Sequence, residues 1–156
     1  LLVIGPRRLS RWLSTFNRHC WISDKFSYRF ISCSECKSDT VAPLLGLSHI
    51  ENVPVLHCSD SHGLVLRWVG WKFVYSGDSM PCDALVEAGK GATLLVHEAT
   101  FEEGMEGEAL AKNHSTTKQA LVIGHRMNAD RIILTHFSQR YPTLPVFFWR
   151  ALSEST

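Results

Sequence analysis

The sequence predicts an α/β fold, on three observations. Short apolar or β-rich runs alternate with amphipathic stretches in the order strand, helix, strand, helix, strand. The runs are too short to be helices and are bounded by glycine and polar turns. Residues able to do chemistry follow several of the runs within a few positions, which places them at a sheet edge. A chain of 156 residues with 45% hydrophobic and 20% charged content has the size and balance of one globular domain with its own core. No stretch approaches the roughly 18 apolar residues of a membrane span, so no membrane partner is expected. The net charge of +1 carries no electrostatic argument for nucleic acid, so if RNA is the partner this segment is not expected to be its main docking surface.

Leu1-Leu2-Val3-Ile4-Gly5-Pro6 reads as the end of a buried strand entering a turn, which predicts a chain beginning inside a domain rather than at a signal peptide. Behind Pro6, Leu9, Trp12, Leu13 and Phe16 recur at helical spacing and predict an amphipathic helix over about 7–17. Periodicity is poor from about Asn17 to Asn52, and a surface insertion or irregular connection with short strand or helix pieces is expected there. Val53–His57 predicts a short strand. Leu64–Trp68 and Trp71–Tyr75, separated by Val69-Gly70, predict a hairpin whose second arm runs into Ser76-Gly77-Asp78. A short helix from Asp83 ends at Gly89, and Ala92–Val96 is a buried-type strand delivering His97-Glu98. The acidic stretch 101–113 is expected to be partly helical. Ser115-Thr116 caps a helix through about Met127, and Ile132–Leu134 is the last strand, delivering Thr135-His136.

Five cysteines, an odd number, point to free thiols in a reducing compartment. Cys33 and Cys36 form a lone CxxC, read as two unligated thiols in a loop against a redox pair or a zinc knuckle, which Cys20 and His19 could complete though nothing in the spacing requires it. His57, Asp78 and His136 offer imidazole and carboxylate ligands, and a carboxylate can bridge two ions. Glu98 and His114 form a second set, because a carboxylate that holds one imidazole nitrogen leaves the other free to pass a proton. From spacing alone, surface or core roles remain the favoured reading for each of these residues.

Taken together, Val3-Ile4-Gly5-Pro6, His57-Cys58, Tyr75–Cys82 (YSGDSMPC), Leu95–Thr100 (LVHEAT), His114-Ser115-Thr116 and Thr135–Tyr141 (THFSQRY) resemble the second half of long-form ribonuclease Z. That family has the metallo-β-lactamase-like αββα sandwich. The resemblance covers roughly 1–6 and 53–145. It implies an incomplete second half of the catalytic domain over residues 1–145, with 18–52 a poorly matching insertion and 146–156 a divergent tail. It further implies a zinc-dependent endoribonuclease that removes 3′ trailers from precursor tRNA. His57, Asp78 and His136 would be Zn²⁺ ligands, with Asp78 bridging two ions in a complete site, and Glu98 and His114 the proton-transfer pair. A nuclear or mitochondrial location and a homodimer of the complete protein follow from the same likeness.

The family's His-x-His-x-Asp-His run is absent from these residues. In the family it lies upstream and supplies most of the metal ligands, so the 156 residues alone are expected to bind zinc weakly and cleave poorly. Two other readings stay beside this one: another metal-dependent hydrolase of the same fold, and a truncated, non-catalytic isoform that acts only through protein contacts.

Overall fold

The computed structural model describes residues 1–19 and 27–139. The expectations for Cys20, Arg140, Tyr141 and the 146–156 tail lie outside them. Strand β1 (Leu2–Gly5) leads through Pro6 into helix α1 (Arg7–His19) and pairs in parallel with β2 (Arg29–Ser32). A short helix α2 (Ser38–Val41) then precedes a five-stranded sheet. Its strands lie in chain order: β3 (His49–Pro54), β4 (His62–Trp68), β5 (Trp71–Tyr75), β6 (Leu94–Glu98) and β7 (Ile132–Thr135).

The first three of these strands form an antiparallel meander, and β5, β6 and β7 run parallel. Parallel neighbours need a crossover, and helices supply both. Helix α3 (Asp83–Gly89) joins β5 to β6, while α4 (Glu106–Ala111) and α5 (Thr117–Arg126) join β6 to β7. Helix α5 starts at a capping box: Thr116 Oγ1 accepts from Gln119 N at 3.2 Å and Gln119 Oε1 accepts from Thr116 N at 2.9 Å. Ser115-Thr116 thus caps the helix as the sequence predicts.

One face of the sheet carries the core. Val65, Val74 and Leu95 lie side by side in register and are fully buried. Leu85 and Val86 of α3 and Ile123 and Met127 from α5 and its end complete the same cluster. Emptying one such position, Leu95→Ala for example, costs about 2–5 kcal/mol in lost burial and residual cavity. On the opposite face, Ile50, Leu64 and Leu66 pack against Leu2, Ile4 and Ile31 of the small sheet and Val41 and Ala42 of α2. An apolar recess of about 650 Å³ on that face is lined by residues including Ile4, Cys33, Leu47, Asn52 and Tyr75. It contains none of the five predicted site residues.

The segment 27–52 holds short strand and helix pieces, namely β2, α2 and most of β3. The strand expected at Val53–His57 is β3, four residues earlier, and His57 sits in the loop beyond its end. Its polar residues His49, Glu51 and Asn52 hid the strand period, and cross-strand pairing with β4 rather than propensity places it. The helix expected over about 7–17 is α1. Leu9 and Leu13 are half-buried, but Trp12 and Phe16 are 59% and 40% exposed, so the predicted apolar face is only half covered.

Candidate active site

Strands β5, β6 and β7 are parallel, so their carboxyl ends share one edge of the sheet, and β3 runs in the same direction two strands away. Asp78 follows β5, Glu98 closes β6, His136 follows β7 and His57 lies three residues beyond β3. His114 reaches the same edge from the turn that precedes the cap of α5. The fold therefore gathers all five predicted residues on the side where open α/β sheets build their sites.

The turns that present them are constrained. Gly77 has φ +61°, and a Cβ there would meet the His62 carbonyl oxygen at 2.9 Å. Gly77→Ala is expected to cost about 1–3 kcal/mol through left-handed strain and the backbone clash together. A fall in the urea midpoint at unchanged denaturant slope checks this, and an unaltered midpoint would refute it. His136 itself has φ +61°, a conformation uncommon for a histidine and worth its cost where the ring must face a site.

Hydrogen bonding decides which ring nitrogen of each histidine is open. His57 Nδ1 lies 2.8 Å from the Asn113 carbonyl oxygen, which can only accept, so Nδ1 carries the proton. Asn113 Nδ2 donates back to the His57 carbonyl at 2.9 Å and closes the clamp. His114 Nδ1 donates to Glu98 Oε1 at 2.7 Å. Thr100 spends its hydroxyl proton on Glu98 Oε2 at 2.7 Å, so it accepts from His136 Nδ1, also at 2.7 Å. All three imidazoles are thereby held by Nδ1–H and leave Nε2 open, the arrangement that orients metal-binding histidines.

Glu98 is the hub. Its side chain is 1% exposed, and its carboxylate takes Ser79 N at 2.8 Å, Thr100 N and Ser115 N at 3.2 Å each, the Thr100 hydroxyl and His114. Burial, the largest single influence, pushes its pKa up, yet the hydrogen bonds from Thr100, His114, Ser79 and Ser115 together hold it below the ordinary carboxylate range. Glu98 thus stays ionised in an interior position and fixes the His114 ring, whose own side chain is 15% exposed.

Donor atoms of His57, Asp78 and His114 lie within 4.8 Å of one another, as do those of Glu98, His114 and His136. His136 Nε2 is 3.8 Å from Asp78 Oδ1, and the His114 ring centroid is 4.7 Å from that of His57 and 5.5 Å from that of His136. The predicted trio His57, Asp78 and His136 is contiguous, but His114 stands between its histidines. Open imidazole nitrogens beside a carboxylate fit the ligand chemistry of zinc.

Thr100 and Asn113 are positioning residues that the sequence reading did not single out. Thr100 stands in the quoted His97-Glu98-Ala99-Thr100 run. Asn113 adopts φ +57°, a left-handed turn that asparagine tolerates, next to His114. Cys58 is exposed, with its sulfur 2.9 Å from Ser61 Oγ and 3.5 Å from Asp60 Oδ1. Cys82 is buried and contributes to the core.

His97 is fully buried, with Nδ1 2.7 Å from the Glu98 carbonyl oxygen and Nε2 without a partner. Burial pushes its pKa down. The folded state therefore binds fewer protons than the unfolded chain below about pH 6.5, the ordinary value, and stability contributed above that pH is lost as pH falls toward the folded value. Urea midpoints measured from pH 7 to pH 5 are expected to fall, and to fall less steeply in His97→Met. Equal slopes in the two proteins would remove His97 as the cause.

No family model matches the chain. Its sequence is 45% identical over 160 aligned residues to the zinc phosphodiesterase ELAC protein 2 of Mus musculus, covering 94% of the chain and 19% of that relative. It is 51% identical over 113 residues to the mitochondrial tRNase Z TRZ3 of Arabidopsis thaliana, covering 65% of the chain and 13% of that relative. The chain thus spans about a fifth or less of the length of these curated relatives. Among solved structures, a long-form RNase Z from yeast superimposes with a TM-score of 0.77 at 24% identity, over 94% of the chain and 25% of that protein. A metallo-β-lactamase fold protein, YhfI from Bacillus subtilis, gives 0.70 at 17% identity over 89% of the chain and 53% of its own. These superpositions show the metallo-β-lactamase fold.

Proposed function

From the homology of this chain to one segment of the zinc phosphodiesterase ELAC protein 2 and tRNase Z enzymes, we propose that it forms part of the catalytic half of a zinc-dependent endoribonuclease that removes 3′ trailers from precursor tRNA. The observation that carries this reading is the shared orientation of His57, His114 and His136. Each ring is anchored through Nδ1, donor atoms of all three group with those of Asp78 or Glu98, and His136 Nε2 lies 3.8 Å from Asp78 Oδ1. Packing or surface roles would not require three anchored rings converging at one strand edge.

In this proposal His57, Asp78 and His136 hold zinc, and a complete site takes two ions, with further ligands from a His-x-His-x-Asp-His run outside these residues. Bound zinc supplies Lewis-acid stabilisation of charge on the phosphoryl oxygens and activation of water near neutral pH. Glu98 fixes the His114 ring through Nδ1. His114, when it carries a proton on Nε2 as well, would give that proton to the leaving oxygen, and Thr100 keeps the His136 and Glu98 side chains in register. No Ser or Cys nucleophile is required.

Residues 1–145 are the proposed extent of the catalytic segment. The mitochondrial names of the Arabidopsis relatives support action in that organelle, and the family likeness extends it to the nucleus and to a homodimer of the complete protein. No helix among the described residues is long and apolar enough to cross a membrane.

The test is cleavage of a 3′-extended precursor tRNA, with zinc, by the 156-residue chain and by a version extended upstream through the missing histidine run, each beside its Asp78→Ala variant. Cleavage by the extended protein alone, lost with Asp78→Ala, is expected. Absence of cleavage in both, or cleavage indifferent to Asp78, would overturn the proposal and favour a protein-interaction role.

A further inference from the structure

Among the described residues, helix α1 is the most basic element. Its sequence, RRLSRWLSTFNRH, carries Arg7, Arg8, Arg11, Arg18 and His19 with no acidic residue, and none of its side chains is buried. Leu9 and Leu13 turn toward the body, which leaves Trp12 and Phe16 facing out on a neighbouring stripe. Their rings stack with centroids 5.2 Å apart and planes 17° from parallel. With Thr15 and His19 they line a shallow recess of about 310 Å³.

This surface is tied to the candidate site. Arg8 Nε lies 3.3 Å from Asp60 Oδ2, in the loop that carries His57. From Arg8 to Phe16 the helix runs about 12 Å, at ~1.5 Å per residue. A strand leaving the His57 loop along α1 would meet arginines for its phosphates and two aromatic faces for its bases.

We propose that α1 is a contact surface for single-stranded RNA flanking the scissile bond, an assignment that rests on the ribonuclease reading and names a part of substrate recognition on this chain. Charge complementarity selects the occupant. The cationic side chains of α1 suit a polyanion, and exposed aromatic rings interleaved with arginines make the stacking platform that single strands use without sequence readout. A bilayer fits poorly. An interfacial helix buries a continuous apolar face in lipid, whereas the leucines of α1 face the protein and only two rings remain outside. Concentrating these cations in one helix also reconciles RNA contact with a net charge of +1 for the whole chain.

The experiment is fluorescence anisotropy of a labelled 12-nucleotide single-stranded RNA, a blunt RNA duplex and phosphatidylserine vesicles against the 156-residue chain, over a range of salt, with circular dichroism as the fold control. Wild type is expected to bind the single strand with marked salt dependence. Trp12→Ala/Phe16→Ala is expected to weaken that binding by roughly 10-fold or more with little change in salt slope, since stacking on each ring contributes about 1–3 kcal/mol. Arg11→Glu/Arg18→Glu is expected to weaken it and flatten the slope. These side chains are exposed, so both variants should stay folded. Undiminished binding in either folded variant, no binding by wild type, or binding to vesicles or duplex in preference to single strand would overturn the proposal. The ribonuclease reading fails on a different result, cleavage indifferent to Asp78, which this binding measurement does not touch.

Discussion

Glu98→Gln in the complete protein is expected to lower the cleavage rate constant by about 10²–10⁴-fold, the range that a positioned proton donor contributes. The reason lies in the donors around the carboxylate. Ser79 N and His114 Nδ1 point at one oxygen, and Thr100 and Ser115 N at the other. A glutamine must turn its own NH₂ toward one of those sets and repel it. His114 then loses its anchor on the carboxylate. His114→Ala should fall in the same range. Because the two residues act as one unit, the double variant should be little worse than either single variant.

Independent, multiplicative losses would refute the pairing. A stability readout separates structure from chemistry. Removing one partner of a buried, hydrogen-bonded pair costs about 3–5 kcal/mol, so activity is to be compared only at temperatures where circular dichroism shows each variant folded. The pH sense is also set. The folded pKa of Glu98 is lowered, so the stability it contributes is present above its ordinary value and is lost as pH falls through the lower folded value.

Asp78→Ala is expected to reduce zinc affinity by more than the roughly 10–100-fold that follows loss of a residue merely supporting a ligand, and to abolish cleavage with it. Asp78 is the carboxylate nearest the open nitrogen of His136, at 3.8 Å, and its donor atom groups with those of His57 and His114. Competition against a chromogenic chelator in the extended protein measures the affinity directly. Thr100→Val is the informative companion. It removes the hydroxyl that accepts from His136 Nδ1 and donates to Glu98, and leaves every proposed ligand in place. Its loss of affinity should fall within the 10–100-fold range and below that of Asp78→Ala. Zinc affinity unchanged in Asp78→Ala would remove that residue from the metal set.

The fold was legible wherever a hydrophobic period stood alone. Val65, Val74 and Leu95 sit in short apolar runs, and the strands appear where those runs predict. The capping box at Thr116 is a local signal and is found where it is read. The sequence was misleading where tertiary pairing overrides pattern. Strand β3 alternates poorly because His49, Glu51 and Asn52 interrupt it, and only its register against β4 makes it a strand. Trp12 and Phe16 satisfy helical amphipathicity, yet no described element covers them, and periodicity cannot tell a core face from a contact face.

The sequence by itself determined the α/β layering and the family likeness, and it nominated His57, Asp78, Glu98, His114 and His136 as candidates, because apolar periodicity and motif order are local properties of the chain. Only the tertiary structure decided that one sheet edge unites residues up to 79 positions apart, from His57 to His136. It also decided that Thr100 and Asn113 hold the rings, that Nε2 is the open nitrogen on each imidazole, and that Glu98 stays ionised although buried. Those outcomes depend on which hydrogen-bond donors and acceptors meet in space. That pairing is set by strand register and turn geometry, and neither spacing nor residue type encodes it.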